Sequence, residues 1–250
     1  MRKDFILGFV FGLAVGFILV LSLFTPLFEE DKNKSIPVIP ASVEKNENIK
    51  EIQIPVLAVS NIGEGKVGLL KIKSIPGSGK ALLATNPFNE IDLQFSAQRA
   101  LESVKEILKI KNLDRDFILY FDIEGEVIGG ESAGLPIALG IASLILDKKI
   151  KAGMAATGRI LNEGKIGKVG AVLEKAKAAS NAGIKLLLIP ADTKVIIYET
   201  KLKEEKGKGF YYREERIIPK EVDFKNYAKD LGIEVKEVSN LAEALEIALI

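Results

Sequence analysis

A serine set among glycines, a lysine on an apolar helix face and the absence of any histidine bound the chemistry open to this chain. The serine is Ser132, in the stretch Gly129-Gly130-Glu131-Ser132-Ala133-Gly134, which ends a strand-like segment and opens a long apolar one. One reading makes its hydroxyl a helix N-cap, a common role for serine. Another makes it a nucleophile, because a hydroxyl at a helix start lies beside backbone N–H groups that can hold an oxyanion. A nucleophilic serine needs a base, and with no His the Ser-His-Asp arrangement is excluded. Lysine is the substitute, provided burial and nearby positive potential bring its amine well below the usual value of about 10.4. Lys175 is the candidate: in a helix starting near Gly170 it occupies an early turn, where the dipole disfavours an ammonium, and Val172, Ala176 and Ala179 offer burial. A lysine on a helix is also, quite ordinarily, part of a solvated face.

Composition removes other chemistries. Without Cys there is no disulfide, thiolate nucleophile, Cys-ligated zinc or iron–sulfur cluster. The 35 basic and 34 acidic residues nearly cancel, so nucleic acid is a poor partner. Neither a cofactor nor a metal is expected.

The elements that must position Ser132 and Lys175 follow from periodicity. Strands are expected at Ile52 to Ser60, Lys66 to Ile75, Ala81 to Thr85, Phe117 to Ile123, Gly153 to Arg159 and through Ile184-Lys185-Leu186-Leu187-Leu188-Ile189-Pro190. Leu93, Ala97, Ala100, Leu101, Val104, Ile107 and Leu108 trace one buried helix face. Further helices are expected over Ser132 to Leu146, from Ala171 to near Gly183, from Asp223 to Leu231 and from Leu241, with Ile233 to Val238 a strand. Asn240 and Glu243 give the last helix a capping-box start. Strands and helices in this irregular order indicate an α+β fold, and 250 residues suit one domain plus an accessory segment.

That segment is the N-terminus. Phe5 to Phe28 carries no charge and as a helix at ~1.5 Å per residue reaches roughly 36 Å, enough to span a bilayer. No small-residue cleavage site follows it, which favours an uncleaved anchor over a removed signal. Arg2 and Lys3 ahead of it read as a basic n-region, placing the remainder outside the cytoplasm. Gly8, Gly12 and Gly16 share one helix face that permits close helix approach and self-association; glycine is also simply frequent in membrane helices. Residues 29–50 read as a polar tether, leaving 51–250 as the globular domain.

Two stretches look functional and are better read as structure. Pro76-Gly77-Ser78-Gly79-Lys80-Ala81 imitates the end of a phosphate loop, but Ser74 stands where the first Gly belongs and Ala81 where the Mg²⁺-binding hydroxyl belongs. It is expected to be a turn, and the chain shows no ATPase motif. The charged run Lys201 to Lys208 followed by Phe210-Tyr211-Tyr212-Arg213-Glu214-Glu215-Arg216 reads as a solvated hairpin.

Three blocks together resemble the proteolytic domain of the Lon proteases, which works with a Ser-Lys dyad: "PGSGKALLATNPFNEIDLQFSAQRALESVKEIL", "GGESAGLPIALGIASLI" and "AATGRILNEGKIGKVGAVLEKAKAASNAGIKLLLIP". The resemblance covers roughly Val56 to the C-terminus and implies mixed sheets with packed helices. It places the nucleophile at Ser132, the general base at Lys175 and a lysine-orienting hydroxyl at Thr157. Glu131 falls on the supporting position before the nucleophile, where it would tune the dyad or, the reading preferred here, cap the helix. The implied activity is serine peptidase action on unfolded proteins or peptides through an acyl-enzyme. Family members usually carry an ATPase motor; an anchored chain without one is similar to ATP-independent Lon-like proteases, and the resemblance implies a homo-oligomer in the form of a hexameric ring. The alternative is a non-catalytic Lon-like scaffold or binding module at the membrane. Pro136 is unusual so early in a helix, since without an N–H it would leave the Ser132 carbonyl unbonded. Residues 195–222 look like an insertion.

Overall fold

The computed structural model describes residues 49–125, 127–207 and 210–250. The apolar run from Phe5 to Phe28, its glycine face and most of the tether lie outside the described residues. Among the described residues no helix is long and apolar enough to cross a membrane.

Strands β1 (Lys50–Val59) and β2 (Gly65–Pro76) form an antiparallel hairpin, followed by β3 (Ala81–Leu83) and β4 (Phe88–Asn89). Helix α1 (Ile91–Ile107) leads to β5 (Arg115–Asp122) and β6 (Val127–Ile128). After a 3₁₀ turn at Glu131–Ala133 comes α2 (Gly134–Leu146), then β7 (Met154–Ala156), β8 (Arg159–Ile160) and β9 (Ile166–Gly167). The chain continues through α3 (Val172–Asn181), β10 (Leu186–Pro190), β11 (Val195–Gly207) and β12 (Phe210–Val222), and ends with α4 (Phe224–Asp230), β13 (Glu234–Val238) and α5 (Leu241–Ala248).

Two main sheets result. One runs β1-β2-β5-β3, antiparallel except for the β3–β5 pair; the other is parallel, in the order β13-β10-β7. The fold is therefore mixed: hairpin-connected strands on one side, strands joined through α3 and α4 on the other. Helix α2 is apolar on every side, with each residue from Gly134 to Ser143 buried, as a helix enclosed by other elements must be. Helix α1 buries the face read from its sequence, Leu93, Ala97, Ala100, Leu101 and Val104, in the same core cluster. A second cluster joins Leu57 of β1, Val172, Ala176 and Ala179 of α3, and Val195 and Phe224.

The phosphate-loop look-alike is a turn between β2 and β3. Its amides are occupied by the chain itself, since Ser78 N–H and Lys80 N–H both donate to Asp116 Oδ1, at 2.8 and 2.9 Å. Those bonds hold the Asp116 carboxyl below the usual carboxylate range. The stretch 195–222 is a hairpin of two 13-residue strands.

The expected strand over Gly153 to Arg159 divides in two. It leaves the parallel sheet after Ala156 and resumes as β8, which pairs with β9, so Thr157 and Gly158 sit at a change of direction.

Candidate active site

Three elements converge on one cleft. The 3₁₀ turn brings Ser132, the start of α3 brings Lys175, and the end of β1 forms a wall. The cleft has a volume of about 700 Å³, and both Ser132 and Lys175 line it, together with Val56, Leu93, Phe121 and Ile128.

The Ser132 turn is held by backbone bonds. The expected helix start at Ser132 shifts to Gly134, whose helix has Ala133 as N-cap and no side-chain cap, so Ser132 does not cap it. Pro136 then occupies the first turn, where helix N–H groups have no intrahelical acceptor and its missing donor costs little. The Ser132 carbonyl finds its donor elsewhere: Gly158 N–H donates to it at 3.0 Å, and Leu135 N–H donates to the Gly158 carbonyl at 2.9 Å. Gly158 thus brackets the Ser132 turn against the end of β7. Among the described residues nothing hydrogen-bonds the Ser132 hydroxyl.

Gly130 enters the turn at φ 102°, a conformation that favours glycine. Its N–H donates to Asp92 Oδ2 at 2.8 Å. Gly134 allows α2 to approach closely: a Cβ there would lie 2.9 Å from Ser96 Oγ and 3.1 Å from Ile160 N. Gly134→Val is expected to lower stability by about 1–3 kcal/mol through this overlap, which thermal unfolding of variant and parent measures directly.

Lys175 is buried, with 4% of its surface exposed, beside Val172, Ala176 and Ala179. It is the fourth residue of α3, as the sequence suggested. Its Nζ donates to Thr157 Oγ1 at 3.1 Å, and Thr157 is fully buried. Among the described residues no carboxylate pairs with Lys175. Burial lowers its pKa from 10.5 to about 8, since the charged form loses hydration without a counter-charge. Helix α3 starts from Ala171 in the left-handed region, at φ 55° and ψ 42°, and nothing in the residue type announces that.

The expected cap by Glu131 is absent. The Glu131 carboxylate lies 3.2 Å from Arg99 Nη1 and 2.7 Å from Arg159 Nε, the latter an ionic contact whose N–H is not aligned as a hydrogen bond. The structure therefore brings Ser132 and Lys175 to one cleft, with Thr157 buried behind Lys175, and directs Glu131 to a cationic pair. Asp92, Gly158, Arg99 and Arg159 were not singled out from sequence. Each acts on the turn through a partner more than 25 positions away, and local spacing carries no trace of it.

Comparison with known proteins gives concordant matches. Residues 35–206 match the family described as Lon protease (S16) C-terminal proteolytic domain. The chain is 30% identical over 212 residues to the Lon protease of Buchnera aphidicola subsp. Schizaphis graminum, covering 82% of this chain and 24% of that protein. It is 29% identical over 164 residues to the Lon protease of Desulfosudis oleivorans, and 32% identical over 171 residues to Lon protease 1 of Myxococcus xanthus. Those alignments cover 63% and 66% of this chain and 20% of each relative. The chain thus spans about a fifth to a quarter of the length of these relatives.

Proposed function

Because this chain belongs to the Lon protease (S16) C-terminal proteolytic domain family, we propose that it is a serine endopeptidase in which Ser132 is the nucleophile and Lys175 the general base. The observation that carries this reading is a buried, counter-charge-free lysine, fixed by Thr157, lining the same cleft as a serine at a glycine-entered turn. Neutral Lys175 takes the proton from the Ser132 hydroxyl as Oγ attacks the substrate carbonyl. The oxyanion meets amides of the Glu131–Ala133 turn, since the Gly130 and Leu135 amides are already engaged. Lys175 then protonates the departing amine, and a water deprotonated by Lys175 hydrolyses the acyl-enzyme.

The substrates are unfolded proteins or peptides, cleaved without ATP: the cleft of about 700 Å³ lined by Ser132 and Lys175 admits an extended chain, and the turn that imitates a phosphate loop has its Ser78 and Lys80 amides taken by Asp116. The Phe5 to Phe28 segment anchors the protein in the membrane with the catalytic domain outside the cytoplasm, and copies associate into a homo-oligomer, in the fullest form a hexameric ring.

A fluorophosphonate probe tests the assignment. It is expected to add covalently to Ser132 in the wild-type chain, with digestion of an unfolded protein in nucleotide-free buffer blocked in parallel. A folded chain that takes no label and digests nothing favours the scaffold reading.

The rate should follow the neutral fraction of Lys175, so kcat/KM rises with pH and levels off above about 8. Thr157→Val removes an acceptor that favours the charged amine. Its rising limb is expected at lower pH than in the wild type, with kcat about tenfold lower and KM little changed, because the base is no longer held in line. An unmoved limb measured across pH 6 to 10 removes Thr157 from this role.

A further inference from the structure

The β11–β12 hairpin leaves the domain immediately beyond its root. Val195 is buried with Phe224 in the cluster that holds α3, and past that point the ribbon is largely exposed. Its register decides what each face carries, because directly opposed residues of an antiparallel pair point to the same side. Ile196 opposes Glu221, Tyr198 opposes Pro219, Thr200 opposes Ile217 and Leu202 opposes Glu215. In the half nearest the root one face therefore gathers Ile196, Tyr198, Leu202, Ile217 and Pro219 beside Glu215 and Glu221, with Tyr198 73% and Ile217 72% exposed, and Glu204 and Arg213 follow toward the tip. The opposite face carries Ile197 and Ile218 near the root, then the charged Lys220, Glu199, Lys201, Arg216, Lys203 and Glu214, and Tyr212 toward the tip. The ribbon is amphipathic, and its apolar side faces solvent.

We propose that this apolar face joins two copies of the chain, the ribbons stacking face to face about a two-fold axis near Thr200 with their charged sides outward. A two-stranded ribbon is marginally stable alone in water, and a second layer is the usual remedy. At the observed exposures the five side chains present on the order of 500 Å² per copy, so two copies reach the ~1,000 Å² that a specific interface buries. Charge favours the same occupant. Charged groups described on this side have partners within the chain, Arg213 with Glu215 at 3.2 Å, Glu221 with Lys194 at 3.9 Å and Glu204 with the Tyr211 hydroxyl, so the face does not call for an oppositely charged partner. This contact is independent of the peptidase assignment.

The lack of any native Cys makes the test direct. In the 250-residue chain held in detergent micelles, Thr200→Cys places a thiol on the apolar face and Lys201→Cys one on the charged face. Mild oxidation is expected to link Thr200→Cys into covalent dimers at least ten times more efficiently than Lys201→Cys. In sedimentation, Tyr198→Glu combined with Ile217→Glu is expected to remove the two-fold contact and halve the mass of the assembly, leaving any ring contact in place, with the far-ultraviolet circular dichroism unchanged. Equal cross-linking of the two cysteine variants overturns the proposal even if the glutamate variant fails to fold. Unchanged mass together with lost binding of unfolded casein also overturns it and assigns the face to extended polypeptide.

Discussion

Ser132→Ala and Lys175→Met are each expected to lower kcat by on the order of 10³-fold or more, and the double variant to be no worse than the more damaged single one. The non-additivity is the informative part. If Lys175 acts only by taking and returning the Ser132 proton, it has no work to do once the hydroxyl is gone. Methionine is the suitable replacement because it keeps an unbranched stem of similar length among Val172, Ala176 and Ala179 and deletes only the amine. Digestion of an unfolded protein by the four proteins, followed at equal concentration without nucleotide, provides the measurement. Effects that multiply in the double variant would show that the two side chains serve separate steps, and full activity in Lys175→Met would end the dyad assignment.

The same substitution should stabilise the fold, and the size of the gain should depend on pH. Lys175 binds its proton less readily folded than unfolded, with a pKa of about 8 against the ordinary 10.5. Below about 8 the burial penalty is fully present; it fades as pH rises and is gone above 10.5, where both states hold a neutral amine. The sign is thus a wild-type stability that climbs with pH across this window. The difference in pKa corresponds to roughly 3 kcal/mol. Lys175→Met has nothing to titrate there, so it should exceed the wild type by roughly that amount at pH 7 and approach it by pH 10.5. Urea melts of both proteins at several pH values and one protein concentration isolate the effect, because every other group titrates in both. Stability curves that stay parallel from pH 7 to 10.5 would show that Lys175 is not depressed by burial.

How far the sequence revealed this arrangement depended on whether the determining contact was local. The buried face of α1 was legible from apolar spacing alone. So was the start of α5, where Asn240 Oδ1 accepts from Glu243 N–H at 3.0 Å and the Glu243 carboxylate reaches back to Ser239 N–H at 2.8 Å. Lys175 could be placed early in a helix because Gly183 marks that helix's end and the apolar pattern its length. What was not legible is set by long-range pairing. Glu131 does not cap the helix because Arg99 and Arg159 arrive from α1 and β8, and no sequence neighbour of Glu131 announces that pairing. The helix appeared to begin at Ser132 because nothing in the sequence says that Gly158 will claim the Ser132 carbonyl. Three-residue and two-residue strands such as β7 and β8 are too short for periodicity to register, so the bend between them, where Thr157 and Gly158 lie, looked like continuous strand.

That bend sets the mechanical tolerance of the site. Thr157 holds the amine of Lys175 and Gly158 holds the backbone of Ser132, and these two anchors are consecutive residues. Consecutive Cα atoms are separated by a covalently fixed 3.8 Å, so one peptide plane spans the two attachment points. Slow breathing of either sheet would carry both anchors along as a single rigid hinge pin instead of pulling them apart.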